Sequence, residues 1–135
     1  MSSSGIYIAS RVCHAARWQG LRDVDGWEII SSWIDEAGTG ESASLALLWS
    51  RIEAEIARSK FLILYVETED FPLKGALIEV GMAIAHRRPI RVVAPGVVLD
   101  PMSFRPLGSW VRHPLVTFCD TMHEALAGAL AEDLK

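Results

Sequence analysis

The chain reads as an α/β protein, a sandwich of three layers with helices on both faces of a parallel sheet, and three features predict this. Short apolar runs alternate with amphipathic stretches from one end to the other. The run Lys60 to Val66, KFLILYV, is continuously apolar after its lysine, as a central parallel strand covered on both faces must be. The 135 residues make one domain, 1–135, with a single core that buries about two-thirds of the unfolded surface.

Ile6 to Ala9, bounded by Gly5 and Ser10, is the first strand, and it ends in a small polar loop, Ser10-Arg11. Cys13 to Asp25 is a helix with Ala15, Ala16, Trp18 and Leu21 on its inner face, closed by Gly26. Trp27 to Ile34, rich in Ile and Trp, is a second strand near an edge, and Asp35 to Glu41, DEAGTGE, is a loop. From Ser42 the period changes: Leu45, Leu48, Trp49, Ile52 and Ile56 recur at spacings of three and four, an amphipathic helix. Lys60 to Val66 is the third strand, followed by an acidic loop, Glu67 to Asp70.

Pro72 to His86 is the next helix, with proline near its first turn and His86, Arg87 and Arg88 at its end, where positive charge suits the dipole. Ile90 to Ala94 is a fourth strand, Pro95 to Pro114 a long irregular connection, and Leu115 to Cys119 a fifth strand. Thr121 to Leu134 is a final helix, with capping-box spacing at Thr121 and Glu124. This alternation predicts a flavodoxin-like sheet of five parallel strands in the order 2-1-3-4-5. Ligands of such sheets bind beyond the carboxyl ends of the strands, where the order reverses. The loops after strands one and three meet there.

Half of the residues are hydrophobic, the mean hydropathy is +0.23 and there are five tryptophans, so part of the surface is expected to be covered by another subunit in a homo-oligomer, a dimer or higher. A net charge of -4, with 13 Lys and Arg in no long run, argues against a dedicated nucleic-acid binder. No stretch reaches about 18 apolar residues, which argues against membrane insertion, and MSSSGIYIAS lacks the charged and apolar regions of a leader. The two cysteines and four histidines show no metal-ligand spacing, so no metal is assigned and a reduced, cytoplasmic setting is expected.

From Gly75 to Ala85, Glu79 is the one residue with a polar side chain. Burying an unpaired carboxylate costs several kcal/mol or raises its pKa, so either an internal Arg or Tyr holds it or it faces a pocket where chemistry is done. The pocket is the expectation taken forward.

GIYIAS at the N-terminus, the apolar third strand with its acidic loop, and above all G-A-L-I-E-V-G-M-A-I-A-H-R-R-P-I resemble the nucleoside 2-deoxyribosyltransferase superfamily, from about Ile6 to Val93. The resemblance implies that Glu79 is the nucleophile that attacks C1' of a deoxyribonucleoside, that Tyr7 hydrogen-bonds and orients it, and that a second base or water then takes the sugar. No cofactor is implied. A sister branch hydrolyses deoxynucleoside monophosphates and reads the phosphate after the first strand, where Ser10 and Arg11 stand here. Gly75 would allow close approach of a ligand. Family transferases place an acid shortly before the motif glycine to hold or protonate the base, whereas this chain has Leu73 and Lys74. Glu67, Glu69 and Asp70 are the nearest acids, with Glu67 and Asp70 taken as substrate-binding. Among the tryptophans, Trp18 is the one expected to stack a base. The alternatives are a nucleotide-binding or sensing module without turnover, and an enzyme resembling NAD glycohydrolases.

Overall fold

A computed structural model describes residues 5–36 and 44–133. Strands β1 (Ile6–Ala9), β2 (Phe61–Tyr65), β3 (Ile90–Val93) and β4 (Val116–Cys119) form a parallel sheet in the order β1-β2-β3-β4. The helices are α1 (Ala15–Asp23), α2 (Leu45–Arg58), α3 (Gly75–Ala85) and α4 (Met122–Asp133). Every residue of β1 and β2 is buried, which is why both read as unbroken apolar runs.

Strand parity separates the two faces. Tyr7 stands opposite Leu62 in the register, and its side chain meets α3, with α2 packed alongside. On the other face Tyr65 takes the Trp18 ring of α1 edge-on, with centroids 5.0 Å apart, and the Arg91 guanidinium lies between Phe61 and Gly128 of α4. Helices therefore cover both faces.

The expected five strands in the order 2-1-3-4-5 are corrected to four, because Trp27 to Ile34 supplies a single parallel bridge, Ile29 to Ile6, and then a 3-10 turn at Ser32–Asp35. Two backbone bonds hold the bridge, Ile6 N to Glu28 O at 2.8 Å and Ile30 N to Ile6 O at 2.9 Å. Beyond it, side chains take over the edge of β1. The Ile8 N–H donates to Ser31 Oγ at 3.1 Å, and Trp33 Nε1 donates to Ile8 O at 2.8 Å. A serine hydroxyl that competes for ladder hydrogen bonds ends a strand early.

Smaller differences are local. The helix expected from Cys13 opens as a 3-10 turn, Val12–His14, and becomes α-helical at Ala15, while α3 begins at Gly75 rather than Pro72. Ser44 caps α2 by accepting from Leu47 N at 3.3 Å, and Thr121 does the same for Glu124 N at 3.1 Å. Most of the loop expected at Asp35 to Glu41, the start of the helix expected at Ser42, and Leu134 lie outside the described residues. Gly5 enters β1 at φ +90, and a Cβ there would stand 2.3 Å from Ile30 Cγ2, so only glycine fits.

The segment carrying Ile29 flanks β1 on one side and β2 flanks it on the other, so the order of strand addition reverses at β1. The carboxyl end of β1 is the switch point of the sheet.

Candidate active site

A cleft of about 410 Å3 opens at that switch point. Ser10 and Arg11 border it where β1 ends, Trp33 from the 3-10 turn, Leu48, Trp49 and Ile52 from α2, and Pro72 to Ala76 from the approach to α3, with Glu79 at its inner side. Glu79 belongs to the inward stripe of α3, Ala76, Glu79, Val80 and Ala83, whose spacings of three and four place them on one helix face. It is only 6% exposed.

Its two oxygens have different surroundings. Oε1 accepts a short hydrogen bond from the Tyr7 hydroxyl, which is wholly buried beneath it. Oε2 lies by Gly75, 3.8 Å from where a Cβ on that glycine would stand, and Trp49 Cη2 lies 3.5 Å from the same point. The carboxylate is held from behind by a phenol and borders the cleft in front.

Burial pushes the Glu79 pKa up to about 7, with the negative charge of Glu55 adding to the rise and the Tyr7 hydrogen bond working against it. Burial, then the charge of Glu79, pushes Tyr7 well above its ordinary value, so it remains a phenol and a donor at neutral pH. If ionised Glu79 is the reacting form, kcat/KM rises with pH through about 7. Because Tyr7 favours the charged carboxylate, Tyr7→Phe is expected to move that rise to higher pH and to lower kcat/KM at pH 7 by about 10- to 100-fold. A pH profile of kcat/KM for both proteins checks this; an unmoved acid limb would remove Tyr7 from the site.

The structure brings Glu79, Tyr7, Ser10, Arg11 and Gly75 together. The Ser10 hydroxyl, however, donates to Arg11 O at 2.9 Å and accepts from Trp18 Nε1 at 2.8 Å, which ties the loop to α1. Arg11 Nη1 reaches Asp70 O at 3.3 Å. Glu67 and Asp70 do not line the cleft but face α1. Glu67 accepts from Tyr65 and from Arg17 at 2.9 Å, and those two partners hold its carboxyl below the usual range. Buried Asp70 pairs with His14 Nε2 at 2.9 Å and accepts from Glu67 N at 2.8 Å. The Cys13 thiol lies within 4.8 Å of the ligand atoms of that pair, the one such grouping among the described residues.

Three contributors were missed by the sequence reading. Trp33 and Trp49 line the cleft, whereas Trp18, the expected stacking residue, is 2% exposed, packs on Tyr65 and offers no open ring face. Glu55 of α2 is buried and accepts from Ser32 N at 3.1 Å and from the Ser32 hydroxyl. It thereby anchors the turn that presents Trp33.

No protein-family model and no curated protein matches the sequence. Solved structures do. The 2-deoxyribosyltransferase of Bacillus psychrosaccharolyticus aligns at a TM-score of 0.55 over 70% of this chain and 76% of its own, with 15% identity. The CMP N-glycosidase BcmB of Clostridium botulinum aligns at 0.51 over 96% of this chain and 98% of its own, again with 15% identity. The chain shares its fold with both structures. The match to BcmB takes this fold through β4 and α4, the part of the chain beyond the motif-bearing segment. In this shared fold, the carboxylate of α3 and the phenol of β1 meet across a sequence separation of 72 residues.

Proposed function

We propose that this protein cleaves the N-glycosidic bond of a 2'-deoxynucleoside or its 5'-monophosphate and passes the deoxyribosyl group to another base or to water. The observation that carries this reading is the asymmetry of Glu79, with one oxygen fixed by a buried phenol and the other bordering a cleft of nucleoside size. Departure of the base leaves positive character at C1', and a carboxylate against that carbon both stabilises the charge and captures the sugar as an ester. Tyr7 keeps the carboxylate aimed during attack. In the second half-reaction an incoming base or water displaces Glu79 from C1'.

The rest of the cleft fits a sugar and a base. Trp33 and Trp49 provide aromatic walls for stacking, and Leu48, Ile52 and Leu73 exclude water around the carboxylate, which strengthens electrostatic interactions there. The two structural neighbours, one a deoxyribosyltransferase and one a CMP N-glycosidase, lend support from outside the chain.

Incubation with deoxynucleosides, their monophosphates and NAD, with and without a second free base, followed by chromatography of released bases, tests the proposal. Base release from a deoxynucleoside or deoxynucleotide supports it, and the dependence on added base separates transfer from hydrolysis. Release of nicotinamide alone would favour glycohydrolysis of NAD. Thermal protection by a nucleotide with no base released would favour a binding module instead.

A further inference from the structure

Among the described residues, the ionisable side chains lining the cleft are Arg11, Lys74 and Glu79. Of the acids of the nearby loop, Glu67 is engaged by Tyr65 and Arg17 and Asp70 by His14 and the Glu67 N–H, while exposed Glu69 does not line the cleft. Arg11 is tethered to the Asp70 carbonyl. Lys74 is exposed and sits directly before α3 in the lining of the cleft, and a Cβ on Gly75 beside it would stand 3.5 Å from Trp49 Cη2 and 3.8 Å from Glu79 Oε2. A cation, rather than a second carboxylic acid, thus borders the space where a leaving base would lie.

Resting on the glycosidic reading above, we propose that Lys74, in place of a carboxylic acid, activates the leaving base by donating to it. An ammonium group offers three donors and no acceptor. It suits the acceptor that stands one carbon from the glycosidic nitrogen, O2 of a pyrimidine or N3 of adenine. In a 2-oxopyrimidine, O2 is carried by the carbon next to N1 and gathers negative charge as the glycosidic bond breaks. The C1'–N1 bond breaks with its electron pair moving onto N1 and O2, while a Glu79 oxygen forms the new bond to C1'. Lys74 donates to O2 and passes one proton to the departing base, and the resulting amine regains a proton from solvent at the open mouth.

The test compares Lys74→Met and Lys74→Arg with wild type on 2'-deoxycytidine and 5-fluoro-2'-deoxyuridine and their monophosphates, with 2'-deoxyadenosine and its monophosphate as the purine reference and Glu79→Gln as control. Lys74→Met should cost about 100-fold with cytosine as leaving group and about 10-fold or less with 5-fluorouracil, whose anion needs less help, and Lys74→Arg should recover part of the loss. An equal loss for both leaving groups with no recovery by arginine overturns the role of Lys74 while leaving the glycosidic reading intact if Glu79→Gln still abolishes release. No base released by wild type from any substrate would overturn both.

Discussion

Glu79→Gln is expected to lower kcat for base release by about 1,000-fold or more, because the step that forms the sugar ester loses its nucleophile. Glutamine matches glutamate in size and still offers Tyr7 an acceptor oxygen, so the packing of α3 on β1 should persist. Thermal protection by a substrate nucleoside should therefore survive while turnover does not. Chromatographic rates paired with thermal shifts for the two proteins separate a chemical role from a structural one. A variant that retains wild-type turnover would exclude Glu79 from the chemistry.

The second large effect concerns stability. The Glu79 pKa is raised from an ordinary 4.5 to about 7 in the fold, chiefly by burial. The folded state thus holds this proton more tightly than the unfolded chain does. Unfolding free energy contributed by the group is at its highest below about pH 4.5, declines as pH rises, and reaches its full deficit above about pH 7. At about 1.4 kcal/mol per pKa unit, the deficit is on the order of 3–4 kcal/mol. Glu79→Gln has no such titration, so its stability relative to wild type should improve by roughly that amount between pH 4 and pH 8. Urea unfolding of both proteins at the two pH values measures it, since every other titrating group is common to the pair. A difference that does not change with pH would mean that Glu79 is solvated rather than buried.

Much of this could be read from the chain itself, and the parts that could not have physical reasons. β1 and β2 are covered on both faces, so burial writes itself into continuous apolar runs. A lone carboxylate on a helix otherwise made of apolar and glycine residues marks Glu79 just as directly. The segment Trp27 to Ile34 has the composition of a strand, but composition does not reveal that Ser31 and Trp33 satisfy the backbone of β1 with their side chains and so replace the ladder. Glu67 and Asp70 are adjacent to the cleft in sequence, yet the 3-10 turn there directs Glu67 to Arg17 of α1 and Asp70 to His14 in the turn just before it. The tryptophans differ in the same way. Trp49 recurs at core spacing on α2 but lies at the cleft, whereas Trp18, close in sequence to the first loop, has its N–H committed to Ser10 and its ring to Tyr65. Spacing places a residue on a face; only the neighbouring helix decides whether that face is closed.

The most direct examination of the sugar ester is to quench the protein with acid during turnover of a deoxynucleoside, digest it with trypsin and weigh the peptide from Gly75 to Arg87, which carries Glu79. One deoxyribosyl group on that peptide, present only with substrate and absent from Glu79→Gln, is the predicted result. Turnover with the peptide unmodified, or an adduct that persists in the glutamine variant, would contradict the assignment of Glu79 as nucleophile.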